Sequence, residues 1–257
     1  MTLAEQYIAF RTILVKEIRR FTRIWVQTIL PAAITMTLYF VIFGNLIGSQ
    51  LADIHGLKYI DYIVPGIILM AIINNSYANV VSSFFSAKFQ RHVEELLVSP
   101  MPNYLIIIGY VSGGVARGLM VGLAVTLVAM FFVDLKFTNV LVSFVVVLMT
   151  SVLFALAGLI NAVYAKSFDD ISIIPTFVLT PLTYLGGVFY SVDMLPGIWQ
   201  TVSQLNPILY MVNALRYGML GVSDINIITA MGMIVVFVSL LFLTSLYLLN
   251  KGIGIRN

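Results

Sequence analysis

Between Val140 and Ala165 the chain reads VLVSFVVVLMTSVLFALAGLINAVYA, without one acidic or basic side chain. A helix needs about 20 apolar residues to cross a hydrocarbon core about 30 Å thick, and this run is long enough. Similar charge-free runs lie near Ile24–Ile47, Tyr62–Phe85, Leu105–Val133 (interrupted by Arg117), Ile171–Tyr190 and Ile225–Leu249. Across all 257 residues, 60% are hydrophobic and 10% charged, against about 25% charged in a soluble domain. The expected class is an all-α integral membrane protein with six transmembrane helices. The net charge of +3 then reads as a topology signal rather than a nucleic-acid footprint. With no cysteine, disulfides, thiolate nucleophiles and cysteine metal sites are excluded.

Residues 1–23 precede the first span. Leu3, Tyr7, Phe10, Leu14, Ile18 and Phe21 recur at helical steps, while Arg11, Lys16, Glu17, Arg19 and Arg20 occupy other faces. This predicts an amphipathic helix lying at the membrane interface and ending near the anchor Trp25; a mobile cytoplasmic tail is the alternative. Residues 24–250 form the transmembrane domain and 251–257 a short cytoplasmic tail. Arg11, Lys16, Arg19, Arg20, Arg23, Lys88, Arg91, Lys166, Lys251 and Arg256 fall on one side, against Lys58, Lys136 and Arg216 on the other. Basic residues gather on cytoplasmic flanks, so both termini are expected inside.

Met194–Leu215 is also uncharged, but Pro196 and Pro207 remove helix donors, and Gln200, Gln204, Asn206 and Asn213 would need partners in hydrocarbon. Two short helices re-entering from the outer face, between spans five and six, fit better than a seventh span.

The sequence contains no G-x-x-x-x-G-K-[ST] loop, so any ATP hydrolysis of that type requires another polypeptide. The longest inner connection, Ser86–Pro102, offers it a dock. Phe89, Val93, Leu96 and Leu97 share a helical face, Arg91, His92, Glu94 and Glu95 lie largely elsewhere, and Ser99, Pro100 and Pro102 end the helix. Insertion into a partner's groove and rest on lipid headgroups are both open.

The layout resembles the membrane subunit of ABC-2 type transporters, the bacterial exporter permeases of the ATP-binding cassette superfamily. The resemblance rests on the basic N-terminal helix, six spans, the Glu94–Pro102 connection, and the ordered series Gly186-Gly187-Val188-Phe189-Tyr190, Met194-Leu195-Pro196, Leu205-Asn206-Pro207-Ile208 and Arg216-Tyr217. It implies a homodimer in the inner membrane, coupled to two copies of an ATPase subunit that binds ATP and magnesium. It also implies that Phe84–Met101 is the coupling segment, that Met194–Arg216 forms the outer re-entrant path, and that this chain carries no cofactor. The exported substrate is not named by the resemblance.

Asn74, Asn75, Asn79, Arg117 and Asn161 are polar residues within spans. Each could line a path or bond between helices, since unpaired polar groups in lipid are costly. For Arg117 the choice is a gate or anionic-substrate contact against a structural pair or snorkelling, and Arg117→Leu is expected to impair assembly more than substrate choice. Glycines 109, 113, 114, 118 and 122 predict tight packing of the third span. His55 and His92 fall in loops on opposite sides, so they form no shared metal site, and no catalytic constellation assembles. An ion-coupled secondary carrier, which would want mid-span carboxylates, and a non-transporting scaffold are the rival readings.

Overall fold

The computed structural model describes residues 1–254, apart from the side chains of Asn45 and Ser49; Arg256, counted above among the inner basic residues, lies outside them. The described chain is helical, with no strand beyond the isolated Ile54–Leu57 bridge. Helix α1 (Leu3–Arg23) begins with a reciprocal cap: the Glu5 amide donates to Thr2 Oγ1 and the Thr2 amide to Glu5 Oε2, satisfying two donors that no carbonyl of the helix could reach. Next come α2 (Trp25–Thr28) and α3 (Leu30–Tyr39), which runs on into a wider π-helical turn, Phe40–Ile47. The break between them falls beside Pro31, which has no N–H to continue the ladder.

Helices α4 (Tyr59–Phe89), α5 (His92–Val98), α6 (Asn103–Ala129) and α7 (Val140–Tyr164) follow. Then come α8 (Asp170–Ile174), α9 (Thr180–Tyr184), α10 (Gly197–Gln204), α11 (Pro207–Leu220) and α12 (Ile227–Lys251). Among the described residues, five helical stretches are long and apolar enough to cross a membrane: Trp25–Gly44, α4, α6, α7 and α12. The expected span Ile171–Tyr190 is not among them. It is helical only from Asp170 to Tyr184, with a π-helical turn at Pro175–Leu179, because Pro175 and Pro181 each withdraw a donor. It ends in a turn where Gly187 takes a left-handed φ of 70°.

Helix α4 sits at the centre, buried on nearly all sides, as its all-round apolar stretch Tyr62–Ile73 requires. Small residues let its neighbours approach closely. A Cβ on Gly158 of α7 would lie 2.6 Å from the Tyr77 carbonyl oxygen, and one on Gly114 of α6 would meet Val80 at the same distance. The α6 glycines thus serve packing, as expected, but on two faces. Gly114, Gly118 and Gly122 admit α4, whereas Gly109 and Gly113 admit Ile13 and Glu17 of α1.

Two ends of the bundle follow from these contacts. At the end holding α5, Phe168 packs edge-on to Phe85 at 4.9 Å, Asn103 donates to Asn250 at 2.8 Å, and Gly254 adjoins Val163. Lys88, Arg91, Lys166 and Lys251 gather there. At the opposite end, Val188 lies against Gly66, and the Asn139 amide donates to the Gly218 carbonyl at 2.7 Å. Phe85 and Gly66 are nineteen residues apart on α4, or about 29 Å along its axis, and residues 168–188 bridge that distance. The chain through α10 and α11 instead starts near Ser191 and returns to Gly221 at one end.

Candidate functional site

At the basic end, α4 continues to Phe89, and the chain turns sharply at Arg91, whose φ of 63° is left-handed. Helix α5 is pinned by fully buried Val93, with Leu96 and Leu97 half-buried against the core. Ser99 Oγ donates to the Leu96 carbonyl at 2.6 Å and ends the helix. The apolar face of α5 is therefore spent on its own bundle, a correction to its expected availability as one stripe with Phe89. Phe89 closes α4 instead. Facing out are Arg91, His92, Glu94 and Glu95, with Phe89 (64% exposed) and Val98 (84% exposed) at the margins. A groove of about 600 Å³ beside them is lined by Lys88, Phe89, Arg91, Glu94 and Lys166 among others.

Lys88 reaches across this groove to the end of α7, donating to the Val163 and Ala165 carbonyls, the latter at 2.7 Å. A cation there meets both free carbonyls and the negative end of the helix dipole. Asp170 accepts from the Lys166 and Ser167 amides at 2.8 and 3.1 Å. These bonds, with one involving the Ser167 hydroxyl, hold its carboxyl below the usual value. Lys88 thereby ties the end of α4 to the end of α7, and Asp170 closes the turn that follows it.

Deeper in, a polar seam joins α1, α4 and α6. Arg117 Nη2 donates to Asn75 Oδ1 at 3.0 Å, and Arg117 has no carboxylate partner among the described residues. Arg20 Nη2 donates to Asn79 Oδ1 at 2.8 Å and to the Asn79 carbonyl at 2.9 Å. Glu17, fully buried, accepts from Ser83 at 2.6 Å and pairs with Arg20 at 3.4 Å. Among the described residues Asn74 bonds back to its own helix, at the Met70 carbonyl, and Asn161 ties Tyr77 to the Ile171 carbonyl. Thus Asn75, Asn79, Arg117 and Asn161 all make bonds between elements. The α1 surface that enters the bundle is Ile13, Glu17 and Phe21, whereas Leu3 and Tyr7 of the expected stripe stay exposed. Glu17 and Arg20 looked like solvated flank charges in the sequence. Glu17 lies four residues from both Ile13 and Phe21, and Arg20 three from Glu17, which was the available signal.

At the other end Arg216 is fully buried. Nη2 donates to the Gly187 carbonyl at 2.7 Å, the guanidinium stacks 3.8 Å from the Tyr62 ring centre, and Asp224 lies 3.8 Å away. Asp224 also accepts from the Val192 amide at 3.1 Å and Tyr62 Oη at 3.2 Å, while His55 Nε2 stands 3.1 Å from its other oxygen. His55 is thus part of this network rather than a free loop side chain. Asn206 caps α11 and donates to the Leu182 carbonyl at 2.6 Å, with Pro207 at the helix start. Gly186 lies against Ile208, and Pro196 opens α10. Gly186, Gly187, Asn206, Pro207 and Arg216 are therefore one packed unit, and Pro196 joins it through α10. Asp224, its electrostatic centre, escaped the sequence reading because nothing local marks it.

Residues 8–220 match the family described as ABC-2 type transporter. The chain is 56% identical to inner membrane transport permease YadH of Escherichia coli (strain K12), over 98% of each sequence. It is 23% identical to nodulation protein J of Rhizobium leguminosarum bv. viciae, over 81% of each. It is 24% identical to nodulation protein J of Sinorhizobium fredii (strain NBRC 101917 / NGR234), over 80% of this chain and 79% of that one.

Proposed function

The chain belongs to the ABC-2 type transporter family, and from that premise we propose that it is the permease subunit of an ATP-driven exporter in a bacterial inner membrane. The name of its Escherichia coli relative supports the compartment and the transport role. Six crossings are proposed, with Ile171–Tyr190 as the fifth, because residues 168–188 bridge about 29 Å of α4 despite their prolines. Helices α10 and α11 are then re-entrant from the outer face. Both termini lie inside, where Lys88, Arg91, Lys166 and Lys251 gather. In this reading α1 lies at the inner interface and leans along the first half of α6.

Two copies of the chain pair with two ATPase subunits, which bind ATP and Mg²⁺; lipid surrounds the dimer, and the transported compound stays unnamed. The observation carrying this reading is helix α4, the most buried of the long apolar helices among the described residues. Its inner end turns directly into α5, whose polar face is exposed, and its outer end holds Tyr62 against Arg216. Closure of the ATPases would push Arg91, His92, Glu94 and Glu95, and α4 would carry that displacement to the outer unit, shifting the population between inward and outward openings.

Glu17 favours a second reading. It is a buried carboxylate of the kind an ion-coupled carrier uses, although Arg20 and Ser83 already satisfy it. One experiment separates the two. Tagged wild-type chain and Glu94→Arg/Glu95→Arg are purified in mild detergent and assayed for a co-purifying ATP-binding-cassette ATPase. Recovery with wild type and loss in the charge-reversed variant, both equally folded, is the expected result. If no ATPase is retained and the chain alone moves solute along an ion gradient in liposomes, the carrier reading replaces this one.

A further inference from the structure

Three outer loops bring one imidazole and two carboxylates together. His55 comes from the turn between α3 and α4, Asp193 from the turn following Ser191, and Asp224 from the turn between α11 and α12. One ligand atom from each lies within 4.8 Å of the other two. We propose that these residues form a binding site for a transition-metal dication, best matched by Zn²⁺, at the outer end of the permease.

The chemistry fits. In a tetrahedral zinc sphere with bonds of about 2.0–2.2 Å, ligand atoms lie roughly 3.3–3.5 Å apart. His55 Nε2 and Asp224 Oδ1 are already 3.1 Å apart, and exposed Asp193 needs only a side-chain adjustment. An imidazole with two carboxylates suits zinc better than the all-oxygen shells preferred by calcium and magnesium.

The surroundings aim the central ligand. Asp224 Oδ2 takes the Val192 amide and faces Arg216, and Tyr62 Oη bonds the same oxygen at 3.2 Å. Its partner oxygen is thereby turned toward His55, as outer-shell bonds orient metal ligands. Arg216 offsets one of the two carboxylate charges, leaving one unbalanced negative charge before an ion binds. The His55 side chain is 41% exposed, so the ion can enter from outside and a water can take the fourth position. Binding would staple three loops that the sequence separates widely, and it would act on the same outer unit that holds Gly187 and Tyr62.

The test uses the full chain, freed of any polyhistidine tag and stripped with chelator in detergent. Zn²⁺ is titrated calorimetrically, Co²⁺ is followed by its visible absorption, and the thermal midpoint is read with and without metal. One ion per chain, an intense tetrahedral cobalt band and a zinc-dependent rise in midpoint are expected. His55→Ala and Asp193→Asn should each weaken binding by about 10–100-fold, and Asp193→Asn, whose lost carboxylate bonds nothing else among the described residues, should melt like wild type in chelator. His92→Ala should change nothing. Equal binding by wild type and both ligand variants, loss of binding in His92→Ala, or no wild-type binding at micromolar zinc would each overturn the proposal. None of these readouts requires an ATPase, so the proposal can fail or stand apart from the exporter reading.

Discussion

Glu17 Oε1 on α1 accepts a 2.6 Å hydrogen bond from Ser83 Oγ on α4, and both residues are buried. One turn along α4, Arg20 grips Asn79 through both its amide oxygen and its carbonyl. These paired contacts make the N-terminal helix part of the bundle. Replacing Glu17 by Ala leaves Ser83 and Arg20 short of a buried acceptor, at a cost of about 1–3 kcal/mol. A double-mutant cycle with Ser83→Ala, read by thermal unfolding in detergent, should show coupling of about 0.5–3 kcal/mol. Strict additivity would mean that α1 does not dock through this pair.

Arg117 depends on a neutral partner, Asn75. Arg117→Leu should lower the yield of folded protein more than it alters which compounds are transported. Asn75→Asp should raise the melting temperature when Arg117 is present and lower it in the Arg117→Leu background, because an unpaired carboxylate in the span is costly. A folded Arg117→Leu protein with a changed substrate profile would instead place Arg117 in the path.

Breaking the Arg216–Asp224 pair should be severe. Removing one partner of a buried pair costs about 3–5 kcal/mol, so Arg216→Met alone should aggregate on size-exclusion chromatography. The double variant Arg216→Met/Asp224→Asn should recover part of the monodisperse peak. Arg216→Lys should not rescue, since an ammonium cannot stack on Tyr62 while reaching the Gly187 carbonyl.

Two glycine substitutions should diverge. Gly158→Ala pushes a methyl into the Tyr77 carbonyl at 2.6 Å and should cost about 1–3 kcal/mol by forcing α7 away from α4. Gly232→Ala meets nothing within 4 Å and should melt at or slightly above wild type.

Asp170 supplies a local pH signature. Its folded pKa is depressed by the Lys166 and Ser167 amides, so its stabilisation is present above the ordinary carboxylate pKa, about 3.9, and is lost as pH falls through the lower folded value. Asp170→Asn should therefore speed hydrogen exchange at the start of α8 at pH 7. The difference from wild type should vanish in strong acid.

What the sequence determined by itself is governed by local solvation. Val140–Ala165 must be a buried or lipid-facing helix because no other structure satisfies its backbone there. Lys88 and Lys166 mark one end of the bundle, and Pro196 and Pro207 keep Met194–Leu215 from forming one continuous helix. The end of α5 at Ser99 was equally legible, since proline and serine chemistry acts within one turn. The same local logic did not foresee that the helical part of Ile171–Tyr190 stops at Tyr184, because the cost of its two prolines depends on what packs beside them.

Tertiary structure alone decided which polar groups meet. Tyr62 and Asp224 are 162 residues apart in sequence, and nothing in either segment encodes the other. Nor can an apolar stripe say what will cover it: Val93 is buried by its own bundle, whereas Leu3 and Tyr7 are left outside. Glu17 reads as a surface charge until α6 presents Gly113 beneath it and α4 presents Ser83. Burial and pairing are properties of the assembled helices, because the energy of a polar group in a membrane protein is set by the partner within 3 Å rather than by its neighbours along the chain.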